Sequence, residues 1–470
     1  MIERLKCLLL AAVCICTGAS AKDMNVLFIT ADDLGLQLSC YGETLIETPH
    51  LDRLAASGVQ FNIAYVAQAS CSPSRSAMFT GLHTHSTGQY GLTNTGLSLH
   101  PELRSRTIPN LLKKSGYQTG IIGKLHVAPE SSFQFDFRPA VNARDVRMVA
   151  STAEVFLKES GDKPFFLMVN YSDPHAWREN NQSREWSFPP QWFGLPKNPL
   201  PPSEKTVFDF QQVNTKAMQK RTAGYYNAVQ RLDDGIGMLM DVLEKQGRIA
   251  DTLVILVGDH GPPFCRGKTT VYEAGLRVPF IVRWPGVSKP MKTDAMVSTI
   301  DILPTILDAV GVEMPGEMHG RSLRPVLQSK EVPWRDYLVA EFHFHGRRPF
   351  YPRRAIRDHR YKLIHNLLAG KAKPSPSIDG DPAYEESQTE AFKDTPAQRA
   401  FERFADPPEF ELYDLENDPI EFANLAGKPG MKEVEGLLRR ALMQYRRDTE
   451  DPFLDPEAIQ RMIRYSQAEN

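Results

Sequence analysis

Short apolar runs of strand length alternate along this chain with longer segments whose apolar residues recur every three or four positions. Asn25-Val-Leu-Phe-Ile-Thr30, Thr119 to Gly123, Phe165 to Val169 and Leu253 to Val257 read as strands rich in β-branched and aromatic residues. Between the last two, Tyr225, Val229, Leu232, Ile236, Leu239 and Leu243 line up on one face of an amphipathic helix. Strands of this kind separated by such helices predict an α/β fold, a mainly parallel sheet covered by helices on both faces. No internal repeat is visible.

The chemistry sits where those strands end. Asp32 and Asp33 follow the first, Lys124 and His126 the second, Asp173 and His175 the third, Asp259 and His260 the fourth. Open α/β sheets bind ligands beyond the carboxyl ends of their strands. One such Asp alone reads as a helix cap and one His alone as a structural residue. Four strands delivering acids, histidines and a lysine to one edge read instead as a site. Asp32, Asp33 and Asp259 suit a hard divalent cation. His260 is a softer ligand, which admits a transition metal or leaves the imidazole free to face a substrate oxygen. Lys124, Lys268, Arg75 and the histidines surround the same edge with positive charge, suited to a tetrahedral oxyanion such as sulfate or phosphate.

Composition narrows the class. The 470 residues carry 55 Lys plus Arg against 57 Asp plus Glu, a net charge of -2, which excludes a bulk nucleic-acid binder. A 41% hydrophobic content with 24 Phe and 15 Tyr excludes a largely disordered chain. Arg4 and Lys6 precede an apolar run from Leu8 to Ile15 that ends Ala19-Ser20-Ala21, so residues 1–21 read as a signal peptide. The run is too short to span a membrane, and no later one is long enough; a periplasmic or secreted protein is expected. The leader removes Cys7, Cys14 and Cys16, leaving Cys40, Cys71 and Cys265, a poor disulfide framework with room for one Cys40–Cys265 bridge at most.

Cys71-Ser-Pro-Ser-Arg75, followed by Ser76-Ala-Met-Phe-Thr-Gly81, is the most specific signal. With it the sequence resembles the formylglycine-dependent sulfatase family, in which Cys-x-Pro-x-Arg marks the cysteine that becomes an aldehyde. Thr48-Pro-His-Leu-Asp52, Tyr272-Glu-Ala-Gly-Leu-Arg-Val-Pro279 and Asp301-Ile-Leu-Pro-Thr305 are similar to further blocks of that family, as is Glu411-Leu-Tyr-Asp414 with Asn424-Leu-Ala426. Two segments, Gly120 to Glu130 leading to Phe135-Asp-Phe137, and Leu363-Ile-His-Asn-Leu367, resemble its heparan N-sulfatase branch. That branch removes N-linked sulfate from glucosamine at the non-reducing end of heparan-type chains. His260 stands where the branch has asparagine and Lys268 where it has arginine, both as in other sulfatases. Glu273 to Arg277 likewise follows the general family.

The resemblance implies an alkaline-phosphatase-like architecture: a large, mainly parallel sheet sandwiched by helices over residues 22–332. A smaller α+β domain with a short antiparallel sheet would follow over 333–470. It implies a sulfated glycosaminoglycan saccharide as substrate and a maturation enzyme that converts Cys71 to formylglycine (3-oxoalanine). It further implies Ca²⁺ or Mg²⁺ on Asp32, Asp33, Asp259, His260 and residue 71. One hydroxyl of the hydrated aldehyde would attack sulfur while Lys124, His175 and Lys268 hold the sulfate oxygens. His175 or Lys268 would protonate the leaving group, His126 would deprotonate the second hydroxyl, and Arg75 would support the nucleophile. A homodimer is left open. Other readings are an O-sulfatase such as a glucosamine 6-O-sulfatase, a phosphodiesterase or phosphonate hydrolase of the superfamily, and a glycan-binding protein with Cys71 unconverted.

Beyond Pro333 basic residues accumulate: Arg347-Arg348, Arg353-Arg354, Arg357 and His359-Arg360. They read either as a solvated surface or as a sugar-binding wall with Glu341, His343, His345 and Arg354 near the substrate. Lys371 to Pro396 reads as a long surface loop, and Trp186 to Pro202 as a loop at the pocket mouth. Asn170 and Asn181 each open an Asn-x-Ser sequon.

Overall fold

The computed structural model describes residues 24–468, except 181, 182, 184, 330 and 347. The leader assigned to residues 1–21 and the sequon asparagine at 181 therefore lie outside the described residues. The strands are β1 (Asn25–Ala31), β2 (Val59–Phe61), β3 (Ala64–Tyr65), β4 (Gln118–Gly123), β5 (Phe165–Tyr171), β6 (Thr252–Gly258), β7 (Phe280–Arg283), β8 (Met291–Thr293), β9 (Val297–Ser298), β10 (Leu338–Phe342), β11 (Arg353–Arg357), β12 (Tyr361–Asn366) and β13 (Phe410–Asp414).

Seven of them form the main sheet in the order β4-β5-β1-β6-β7-β2-β8. β1, β5 and β6 are buried along their whole length, which is why their sequences run apolar without alternation. β1 is central, parallel to β5 with Val26 opposite Phe166 and to β6 with Val26 opposite Leu253. This register brings the ends of β4, β5, β1 and β6 to one edge, while β7 runs antiparallel to β6.

The predicted amphipathic helix is Lys216–Lys245, longer at its start than its apolar stripe suggested. Its first turn is capped by Thr215, whose hydroxyl accepts from the Met218 amide at 3.2 Å. It packs on the helix Val146–Ser160 at Gly235, where a Cβ would come within 2.7 Å of Val146.

The smaller antiparallel sheet runs β10-β11-β12-β13. Its outer face (Val339, Ile356, Leu363, Leu412) packs on Leu438 and Leu442 of the helix Lys432–Asp448, a satellite core beside the main one. Charged contacts tie this sheet to the large one: Glu273 accepts from Arg357 at 3.1 Å and from Lys362 at 3.2 Å.

Three expectations change here. Arg353, Arg354 and Arg357 are buried and not a solvated basic surface, because each guanidinium on β11 finds an acid or an aromatic ring, whereas His359 and Arg360 are exposed as that reading expects. Lys371 to Pro396 is no plain surface loop; it carries the helix Ala383–Ser387 and a stretch that turns inward to meet Cys265. Cys40 and Cys265 are free thiols: Cys265 is buried with its sulfur 3.1 Å from the Pro376 carbonyl, and Cys40 is half-buried elsewhere. No described helix is long and apolar enough to cross a membrane.

Candidate active site

The helix Cys71–Thr80 starts at the sheet edge and is buried along its whole length, with Cys71 as its first residue after the extended Ser70. One turn later Arg75 fastens four strand ends together. Its Nε and Nη2 lie 3.0 and 2.9 Å from Asp259 Oδ2 beyond β6, and its Nη1 donates to Asn170 Oδ1 of β5 and the Lys124 carbonyl beyond β4, each at 3.2 Å. Asp32 beyond β1 is 3.8 Å from Nη2. Buried Asn170 also takes the Thr30 hydroxyl at 2.5 Å.

Around this hub one ligand atom from each of Asp32, Cys71, Asp259 and His260 lies within 4.8 Å of the others, all four side chains buried. The donor set fits a divalent cation: Asp32 Oδ1 is buried with no hydrogen-bond donor, and the His260 Nδ1 faces the Gly261 carbonyl at 2.9 Å. That bond turns Nε2 to the centre, 3.2 Å from both Cys71 Sγ and Asp33 Oδ1. Burial works against a charged imidazole there, but Asp259, Cys71 and Asp33 outweigh it and push the His260 pKa up to about 10. A cation would take the place of that proton. Asp33, expected in the same cation site, falls outside this four-residue group and lies instead with His175 and Asp379, one ligand atom of each within 4.8 Å of the others; its φ is 68°, in the left-handed region, and its amide donates to Asp259 Oδ1 at 2.9 Å. Its pKa is raised to about 6 because burial outweighs the pull of His175, Lys268 and His260. Asp32 is equally buried, yet Lys124, 2.7 Å away, holds it well below the usual carboxylate range. Burial likewise opposes ionisation of the Cys71 thiol, but Lys124 and Lys268 bring its pKa down.

The opposite wall is cationic. Lys268 Nζ reaches Asp33 Oδ1 at 2.9 Å and stays protonated, since Asp33 and Asp379 overcome its burial. His175 directs Nδ1 to the Ala176 carbonyl at 2.6 Å and Nε2 toward Asp33, 3.8 Å away. His126, at φ 55°, keeps a buried Nδ1 without a partner and is neutral; burial and then Lys124 push its pKa down to about 2. Asp173, the acid before His175, serves as scaffold: Arg144 and Arg231 hold it at 2.7 and 2.9 Å.

The structure also brings in residues that strand ends do not announce. Asp379 Oδ2 is 3.0 Å from Lys268 Nζ, delivered by the inward-turning stretch after β12. Asp379-Gly380 is a turn dipeptide, but nothing in sequence says where a turn lands. Trp186 stands 5.7 Å from the His175 ring, and His345 Nδ1 is 2.8 Å from the hydroxyl of Ser70, the neighbour of Cys71. A cavity of about 920 Å³ opens beside them, with Arg178, Trp186, His345, Arg348 and Asp379 in its walls.

Of the four C-terminal residues assigned to a sugar wall, His345 lines this cavity and the other three are turned into a separate buried network. Glu341 accepts from the Thr84 hydroxyl, the His85 amide and His85 Nδ1 at 2.5 to 2.8 Å. Arg354 pairs with Asp451 at 2.7 Å, and His343 packs between Tyr90 and Phe453. Such side chains have no face left for a saccharide.

Residues 24–312 match the family model described as Sulfatase, and residues 258–391 the model described as N-sulphoglucosamine sulphohydrolase, C-terminal. The chain is 32% identical to the N-sulphoglucosamine sulphohydrolase of Homo sapiens, over 95% of this chain and 94% of the relative. It is 30% identical to an ulvan-active sulfatase of Formosa agariphila, over 91% of this chain and 81% of the relative. A solved structure of a protein in complex with its substrate, D-glucosamine-2-N,6-O-disulfate, superposes with a TM-score of 0.68 at 23% identity, covering 92% of this chain and 99% of the other. The architecture is therefore the alkaline-phosphatase-like sulfatase fold. With a family match across more than half its length and a full-length relative above 30% identity, the chain belongs to the sulfatase family.

Proposed function

We propose that this sulfatase removes the N-linked sulfate of glucosamine at the non-reducing end of heparin- or heparan-type saccharides, after export and after conversion of Cys71 to formylglycine by a maturation enzyme. The observation that carries the reading is the similarity to the human N-sulphoglucosamine sulphohydrolase from end to end, including the C-terminal part that closes the cavity.

Asp32, Asp33, Asp259, His260 and residue 71 would hold calcium or magnesium, which supplies a lowered pKa for the attacking hydroxyl of the hydrated aldehyde. Lys124 and Lys268, both charged, receive the sulfate oxygens and offset the charge that builds on them. As the oxygen of residue 71, its proton given up to water, bonds to sulfur, the sulfur–nitrogen bond breaks and His175 or Lys268 gives the departing amine its proton. His126, neutral and unpaired at Nδ1, then takes the proton of the second hydroxyl. The carbon–oxygen bond to sulfate breaks, sulfate leaves, the aldehyde returns and water hydrates it again.

The test is sulfate release by matured protein from N-sulfoglucosamine and 6-O-sulfoglucosamine side by side, with Cys71→Ala as control. Release from the N-sulfated sugar, lost in the control, supports the reading. Release only from the ester selects an O-sulfatase, a second reading that His260, Lys268 and the 30% identity to an ulvan-active sulfatase favour.

A further inference from the structure

Arg348 forms the wall of the 920 Å³ cavity, and its guanidinium has no carboxylate within ion-pair distance among the described residues. Of the acids that line the cavity with it, Asp379 is engaged by Lys268 at 3.0 Å and Asp381 by Gln211 and the Cys265 amide at 2.7 and 2.5 Å, while Glu385 is exposed to solvent. Most of the buried guanidinium groups around the site have a partner acid, as Arg75, Arg231, Arg354 and Arg357 do. Arg348 is also held in place. Its Nη1 donates to the Ser375 hydroxyl at 2.8 Å and to the Ser377 carbonyl, and its own amide donates to the His345 carbonyl at 3.2 Å. His345 in turn rests on Ser70, so this turn is docked against the residue before the nucleophile. Nε and Nη2 have no acceptor among the described residues.

An oriented, half-buried guanidinium with two spare donors and no ion-paired acid, only the more distant charge of Asp379, is a receptor for a planar or tetrahedral anion. The hydrolysed sulfate belongs to Lys124, His175 and Lys268, so the anion at Arg348 is a different one. We propose that Arg348 recognises a second anionic substituent of the substrate, a carboxylate or a further sulfate. The enzyme thereby selects saccharides that carry such a group beside the sulfate it removes. The inference rests on the N-sulfatase reading and narrows its substrate class. The two sources of that charge are a uronate on the neighbouring sugar and a 6-O-sulfate on the same sugar.

The experiment uses matured, cation-loaded enzyme and two substrate pairs. One pair is N-sulfoglucosamine methyl glycoside with and without a 6-O-sulfate; the other is N-sulfoglucosamine linked to a uronate or to glucose. Arg348→Gln retains an amide donor for Ser375 and Ser377 while removing the charge, and its melting temperature reports folding; Arg348→Ala removes both. The wild type should favour the anionic member of one pair by roughly tenfold or more in kcat/KM, the range of a charge-assisted hydrogen bond. The pair that shows it identifies the source. Arg348→Gln should erase that preference, with a far smaller effect on the neutral member. Equal treatment of both members by the wild type, or a preference that survives in a folded Arg348→Gln, overturns the proposal. Failure of the underlying reading shows differently: the wild type would release no sulfate from any N-sulfated compound, and the proposal would fall with it.

Discussion

Asp379 Oδ2 lies 3.0 Å from Lys268 Nζ, so a residue between the third and fourth strands of the small sheet holds a cation of the candidate site from behind. Asp379→Asn keeps the shape and removes one of the two charges that hold Lys268, while Asp33 remains. Loss of one such partner should lower kcat/KM about 10- to 100-fold, well short of the cost of stripping a buried pair completely. Steady-state kinetics beside a thermal melt checks this; unchanged kinetics would remove Asp379 from the site.

Arg75 should be the most costly side chain of the candidate site to change besides Cys71. Arg75→Ala leaves Asp259 buried without its counter-charge and unties the ends of β4, β5 and β6, a loss of about 3–5 kcal/mol. Because a cation would partly replace the missing charge, excess Ca²⁺ should recover part of the lost melting temperature. Melting with and without calcium is the measurement, and equal shifts in both would disconnect Arg75 from the cation site.

His260→Asn installs the ligand type of the heparan N-sulfatase branch. Activity with Ca²⁺ should persist within about tenfold, while any activation by softer ions such as Mn²⁺ should weaken, since imidazole is the only nitrogen donor in the cluster. Chelation should abolish turnover in both proteins, and added Ca²⁺ or Mg²⁺ should restore it. A cation titration of both settles the point.

Acid should loosen the contact between the two sheets' modules. The rings of His83, His85 and His319 lie 5.5 to 6.1 Å apart beside Tyr445 and Glu341. Burial, then His85, pushes the His319 pKa down to about 4, and burial with His319 holds His83 well below its ordinary value. A histidine that binds its proton more weakly folded than unfolded contributes stability that is complete above about pH 6.5. That stability is lost as pH falls toward 4, up to about 3 kcal/mol for His319. His319→Gln should therefore flatten the decline in melting temperature across that window; an identical decline would place the acid sensitivity elsewhere.

The central sheet was readable because β1, β5 and β6 are buried along their whole length and carry long apolar runs, with β4 marked by its shorter Ile121-Ile122 centre. The residues just past their ends were readable for the same reason, as a parallel register aligns those ends. β2, β3, β8 and β9 span two or three residues each and leave no period to detect. Asp379, Trp186 and Arg348 come from irregular segments, where position is set by anchors such as Cys265 and Ser70 far away in sequence. The basic run from Arg347 misled because charge in a sequence says nothing of the acid that will meet it: Asp451 for Arg354 lies 97 residues downstream.

Asn170 is the first residue of an Asn-x-Ser acceptor and at the same time the side chain on β5 that receives Arg75 and Thr30. In a cell that attaches glycans to nascent secreted chains, modification there would precede closure of the sheet, and a glycosylated Asn170 could not enter it. A host that attaches no N-linked glycans never meets this conflict. A eukaryotic secretion host would have to leave the acceptor bare, so misfolded, glycan-bearing material is the expected by-product of producing the enzyme in one.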